Sequence, residues 1–188
     1  MRLIYKNARM SNDEDYPLVP DLAAQAASGD ESAFGLLFDL YYDRIRAFAF
    51  RIMLDDAAAE DVTQESFIRA ARGIRGLHDS STFQAWLYRI CSNTARDALR
   101  QKRAHDAKLE LAAQYQEIAR DGRNGDAAGE RALYIMQSLP SEQREAVALV
   151  FLEECTHAEA AQRLGCAEST VSWRIHLAKR RLRKLVNE

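Results

Sequence analysis

The side chains of this sequence that could do chemistry are hydrogen-bonding groups and cations rather than nucleophile–base pairs. The most informative run is Thr156-His157-Ala158-Glu159-Ala160-Ala161-Gln162-Arg163-Leu164-Gly165-Cys166-Ala167-Glu168-Ser169-Thr170-Val171-Ser172-Trp173-Arg174-Ile175. A short helix ending at Leu164 is expected there, with Gly165 supplying the positive φ of a tight turn and a longer helix following. Ala160 and Ala161 are small where two helices must cross, and Leu164, Val171, Ile175, Ala178 and Leu182 share one face. That is how a helix-turn-helix holds its second helix so that the opposite face enters a major groove. The opposite face offers Ser169, Thr170, Ser172, Trp173 and His176 to base edges, with Arg174, Lys179 and Arg180 for phosphates. The plainer alternative is a helical hairpin whose basic end complements its own C-terminus.

Enzymatic chemistry finds little support. The chain has no Gly-rich phosphate loop, no Ser/His/Asp arrangement and no paired His on one helix face, so no catalytic residue and no cofactor are expected. Cys155, His157 and Cys166 fit no common zinc spacing, and no metal is expected. Cys91, Cys155 and Cys166 read as small thiols in a reducing compartment rather than a disulfide framework.

Positioning these groups falls to helices. In 188 residues there are only 3 Pro and 8 Gly, and 47% of residues are hydrophobic. No apolar stretch reaches the roughly 18–20 residues a bilayer span needs, and the N-terminus lacks a secretory apolar core. A cytoplasmic protein without direct membrane insertion is expected. The net charge of −2 hides a sorting by segment. Asp55, Asp56, Glu60, Asp61 and Glu65 form an acidic stretch; Arg96, Arg100, Lys102 and Arg103 a basic one; Arg174, Lys179, Arg180, Arg181, Arg183 and Lys184 crowd the C-terminus. Surfaces with different partners follow from such sorting.

The spacing predicts an all-α fold of two small helical domains joined by a flexible linker. Residues 1–20 read as a flexible leader. The first unit, 21–104, begins with a stripe of Phe34, Leu37, Phe38, Tyr41, Ile45, Phe48 and Ile52. A second helix is predicted from Ala57 to Arg72 and a third from near Thr82, carrying Phe83, Trp86, Leu87 and Ile90 inward. Residues 105–128 are predicted as linker and 129–188 as the second unit. There, a short helix ends at Pro140, Ser141 caps the next with an incomplete capping box at Arg144, and Val147, Leu149, Val150 and Leu152 line it.

The two halves together resemble the extracytoplasmic-function (ECF) sigma factors of the sigma-70 superfamily. In the first unit the resemblance rests on Asp30-x-x-Ala33-Phe34, Ala59-Glu60-Asp61-Val62-x-Gln64-Glu65-x-Phe67, and Phe83-x-x-Trp86-Leu87-Tyr88-Arg89-Ile90 followed by Asn93, Asp97 and Arg100. In the second it rests on Ser138-Leu139-Pro140 and Thr170-Val171-Ser172-x-Arg174, followed by Ala178-Lys179-x-x-Leu182. It implies that Glu60, Asp61, Gln64 and Glu65 dock on the clamp coiled coil of the largest subunit of core RNA polymerase. It implies that His78, Asp79, Ser80, Ser81, Asn93, Arg96, Arg100 and Arg103 meet melted −10 DNA, with the loop from His78 to Thr82 as the flipped-base pocket. Trp86 reads as core rather than stacking platform. The second unit would read the duplex −35 element. Ser169 stands where the family commonly has Gly, Trp173 where a smaller or basic residue is frequent, and His157 where an aromatic is common. An anti-sigma factor is a further expectation of the resemblance. The rival reading is a stand-alone helix-turn-helix regulator, which would need a dimer seam or ligand pocket in the first unit.

Overall fold

The computed structural model of the chain describes residues 18–112 and 136–186, of which 105–112 and 184–186 are described as backbone alone. Every regular element among the described residues is helical. Helix α1 spans Val19–Ala27 and starts with Pro20 in its first turn, where a missing N–H costs nothing. Helix α1 thus begins inside the expected leader of residues 1–20, of which 1–17 lie outside the described residues. The break that follows was not anticipated: Gly29 adopts φ +107° and Asp30 caps the next helix, accepting from the N–H groups of Ser32 and Ala33 at 2.8 and 3.1 Å.

Helix α2 (Glu31–Met53) buries Leu37, Tyr41, Ile45, Phe48 and Ile52, as the stripe predicts. Phe38 does not follow its neighbours inward; it remains 36% exposed and packs edge-on against Phe67. Helix α3 (Asp56–Gly73) opens on an Asp55 cap and contributes Val62, Phe67 and Ala70 to the core. Short 3-10 turns at Ile74–Gly76 and Ser80–Thr82 lead into α4 (Phe83–Ala112). From α4, Phe83, Leu87, Tyr88, Cys91 and Ala95 are buried. Trp86 lies partly buried with its ring 3.2 Å from where a Cβ on Gly73 would stand, so it belongs to the packing of α3 on α4. Helix α4 runs past the predicted boundary at 104, and the rest of the predicted linker, 113–128, lies outside the described residues.

The second unit begins with Met136 and Gln137 in helix, a turn at Ser138 and α5 (Ser141–Val147). Ser141 is not its cap: Pro140 holds that position and makes no side-chain bond to the helix. The helix then widens into a π turn, Ala148–Leu152, which the apolar pattern alone could not distinguish from α. The N–H of Glu153 reaches back to the Ala148 carbonyl at 3.0 Å, and the chain leaves at Glu154 with φ 54°. Helices α6 (His157–Leu164) and α7 (Glu168–Val186) complete the unit. One apolar cluster joins the two halves, running from α2 and α4 through Leu149, Ala160 and Leu164 to Val171 and Ile175.

Candidate nucleic-acid interface

The helix-turn-helix is built as its residues require. Thr156 caps α6 by accepting from the Glu159 N–H at 3.2 Å, and the Glu159 carboxylate accepts from the Thr156 N–H at 2.7 Å. This is a complete capping box, legible in the sequence as Thr-x-x-Glu but missed there. The Thr156 hydroxyl and N–H hold the Glu159 carboxyl below its ordinary value. At the other end Gly165 adopts φ 64°, with its N–H on the Gln162 carbonyl and the Cys166 N–H on the Ala161 carbonyl. These two bonds close a Schellman turn. Ala160, Leu164, Val171, Ile175 and Ala178 are buried, which fixes the roll of α7 about its axis.

That roll leaves Ser169, Trp173, His176, Lys179 and Arg180 exposed and Thr170 and Ser172 half-buried. Trp173, 59% exposed, is a large aromatic with no place in the core. Ser172 Oγ lies 2.8 Å from Nδ1 of His157 at the start of α6. Lys179 Nζ sits 5.4 Å over the ring of Phe151, itself 51% exposed. Arg174 departs from the expected surface. Its side chain is 12% exposed, Nη2 lies 3.3 Å from Glu142, and Nε and Nη1 are buried without a partner. Ile175 and Val171 flank it on the buried side, so the arginine next to them in sequence is drawn in as well.

On α4, Asn93, Arg100 and Arg103 are exposed, and Arg96 Nη1 donates to Asn93 Oδ1 at 3.1 Å. Arg96 itself is only 22% exposed, because its Nε and Nη2 are committed to Glu145 of α5. Arg100 pairs with Asp97 at 3.2 Å but keeps 74% of its side chain in solvent. Below the start of α4, Asp79 accepts from the N–H and hydroxyl of Ser81 at 3.0 and 2.6 Å, and the Ser81 hydroxyl lowers the Asp79 carboxyl from its usual range. His78, Asp79 and Ser81 are exposed and Ser80 half-buried, an open turn of polar groups held in one shape. The four residues of the expected polymerase face separate into two kinds. Asp61 and Gln64 are exposed. Glu60 is turned toward α2, where Tyr42 and Arg46 bond its carboxylate, and Gln64 of its own helix donates to it as well. Glu65 holds Arg69 at 2.7 Å, and Arg69 continues to Asp97 on α4.

The described residues contain no group of His, Cys, Asp and Glu arranged to hold a metal. Cys91 and Cys155 are buried and Cys166 half-buried, none of them in a disulfide; Cys155 Sγ donates to the Glu153 carbonyl at 3.6 Å, and burial pushes the Cys91 thiol up to about 12. No described helix is long and apolar enough to cross a membrane.

Residues 37–105 match the sequence profile of Sigma-70 region 2, and residues 130–182 that of Sigma-70 region 4. The chain is 31% identical over 176 residues to the ECF RNA polymerase sigma factor SigW of Bacillus subtilis, covering 87% of this chain and 94% of that protein. This chain is an ECF sigma factor.

It is also 33% identical over 168 residues to the ECF sigma factor SigM of Mycobacterium tuberculosis, across 88% of this chain and 83% of the relative. Among solved structures, the sigma factor resembles CnrH in complex with the cytosolic domain of CnrY, at TM-score 0.67 and 30% identity, over 90% of this chain and 97% of that one. It shares the fold of RpoE from Bartonella quintana, solved with the anti-sigma factor NepR, at TM-score 0.63 and 24% identity, over 82% and 96% of the two chains. The sigma factor thus serves promoter-directed transcription initiation by RNA polymerase, with region 2 falling on α2 to α4 and region 4 on α5 to α7. What the sequence did not disclose is how much of its charge is spent between the two regions: Arg51, Glu145, Glu153 and Arg163 were not singled out, and each is committed there. Their only sequence signal is charge inside otherwise apolar stretches.

Proposed function

We propose that the sigma factor divides initiation among three surfaces. The exposed Asp61 and Gln64 of α3 dock on the clamp coiled coil of core polymerase, with Glu60 and Glu65 shaping that face through Tyr42, Arg46 and Arg69. The turn at His78 to Ser81 and the α4 row of Asn93, Arg96, Arg100 and Arg103 receive the opened −10 strand. On α7, Ser169, Thr170, Ser172, Trp173 and His176 read the −35 duplex, while Lys179 and Arg180 hold phosphates and Arg174 steadies the helix from beneath. A first unit running from α1 into α4, a linker and a second unit ending with α7 carry these surfaces, a division that the region 2 and region 4 matches support. The protein works in the cytoplasm, is not an enzyme and uses no cofactor.

The observation that carries this reading is the pairing, on one chain, of a region 2 with open polar groups beside α4 and a region 4 whose helix-turn-helix leaves α7 exposed. Control by an anti-sigma factor is part of the proposal, supported by the likeness to CnrH, which was solved with CnrY. The test is a pull-down of the purified chain with core RNA polymerase, followed by run-off transcription on a genomic promoter library. Stable binding with promoter-specific transcripts is the expected outcome. Binding to duplex sites as a dimer, with no affinity for core polymerase, would instead establish a stand-alone regulator.

A further inference from the structure

Ser169, Trp173, His176 and Arg180 follow one another along α7 at steps of three and four residues, and all are exposed. This stripe is defined by what its first two turns lack. Between Glu168 and Ile175 the sole cation is Arg174, and its guanidinium is drawn beneath the helix: the side chain is 12% exposed and Nη2 lies 3.3 Å from Glu142. Lys179, Arg180, Arg181 and Arg183 all come later in the helix. The exposed charge at its start is a carboxylate, that of Glu168.

This distribution decides which base pair the helix can read. In a helix-turn-helix the N-terminal residues of the second helix meet the base edges. Guanine is most often read by an arginine or lysine forked onto its two acceptors. Arg174 cannot supply that fork from beneath the helix, and Glu168 brings negative charge toward the same acceptors. What remains at the front of α7 is the hydroxyls of Ser169, Thr170 and Ser172 and the indole of Trp173. The Ser172 hydroxyl is already bonded to His157 at 2.8 Å.

Trp173 is 59% exposed, midway along the stripe. At 1.5 Å of rise per residue it stands about 6 Å from Ser169 and about 4.5 Å from His176 along the axis. A single apolar side chain on a surface is ordinary. One at the centre of a groove-reading face loses its water when DNA binds, and it gains from that only by meeting an apolar group. The major groove presents one such group, the C5 methyl of thymine. The indole N–H is a donor with no acceptor beside it, so it suits thymine O4 and opposes the amino group of cytosine.

We infer that Trp173 is a thymine-reading residue: its indole packs on the C5 methyl of a −35 thymine, and at that base pair apolar contact replaces the guanidinium fork. The inference rests on the assignment of α7 to the −35 duplex and names the base that its central side chain selects.

The test titrates holoenzyme, assembled from the full chain and core polymerase, against promoter duplexes. The parent duplex carries the −35 sequence selected from a randomised promoter library. Each −35 thymidine is then replaced in turn by deoxyuridine, which removes one methyl and keeps every hydrogen-bonding group. Wild type is expected to bind about fourfold more weakly at one thymine or two neighbouring ones, the worth of one buried methyl, and with parent affinity elsewhere. Trp173→Ala should bind the parent and deoxyuridine duplexes alike at those positions. Trp173→Phe, which keeps an apolar ring without the N–H, should retain most of the penalty. A selected −35 element without thymine on either strand, or a wild type indifferent to every deoxyuridine, would overturn the inference with no variant involved. So would a Trp173→Ala protein that kept the full deoxyuridine penalty, which would place the indole on the DNA backbone or on a protein partner. Failure of the −35 assignment itself would look different, as holoenzyme that selects no −35 sequence from the library at all.

Discussion

His157 and Ser172 sit on different helices of the helix-turn-helix, and the 2.8 Å contact between them constrains a hydroxyl on the reading surface. A serine hydroxyl has one proton and two lone-pair directions, so a bond to the imidazole nitrogen fixes which of these remains for a base edge. The sequence showed Ser172 on the groove side of α7 but gave His157 no role beyond replacing an aromatic, because the contact spans a turn whose geometry periodicity does not encode. Ser172→Ala should relax discrimination at one −35 base pair by about 1–3 kcal/mol, the usual worth of a good base contact. His157→Ala should weaken the same position and no other, by less. In vitro transcription from a promoter library randomised over the −35 element, read by sequencing, measures both. Losses spread evenly over all positions would show that the pair supports the fold of region 4 and not its reading.

At the scale of elements, Gly165 was legible as the turn from α6 to α7 because a positive φ demands it. The Asp30 and Asp55 caps of α2 and α3 answer orphan N–H groups just as locally, but they were not read from the sequence. The π turn at Ala148–Leu152 was not legible, since a run of apolar residues satisfies either helical period. Nor was Ser141 correctly placed, since Pro140 with its fixed φ takes the cap position instead. The Thr156–Glu159 capping box yields a prediction with a sign. Thr156→Ala should cost about 1 kcal/mol at neutral pH, a fall in Tm of about 2–4 °C. Glu159 has its carboxyl lowered by Thr156, so its contribution is complete above its ordinary value of 4.5 and fades as pH falls through the lower folded value. The difference between Thr156→Ala and wild type should therefore narrow in thermal melts taken below pH 4. A difference that stayed constant into acid would mean that the Thr156 hydroxyl acts alone, without the carboxylate.

At the scale of the molecule, charge sorting along the sequence pointed to separate partners, but part of that charge is answered within the chain. Arg96 meets Glu145 and Arg51 meets Glu153 across intervals of 49 and 102 residues. No local pattern announces pairings that the topology alone creates. The acidic face of α3 is different. Asp61 and Gln64 are exposed, and the bond Gln64 makes stays within α3. On the proposal that polymerase is met through α3, this exposed face gives a direct prediction. Asp61→Ala with Gln64→Ala should then lower affinity for core polymerase about tenfold or more, a loss of about 1.4 kcal/mol or more, with the radius of gyration of the free chain unchanged. Titration of the wild type and the double variant against core polymerase measures this. Unchanged affinity would remove Asp61 and Gln64 from the polymerase interface and leave the exposed face of α3 as a solvated helix surface.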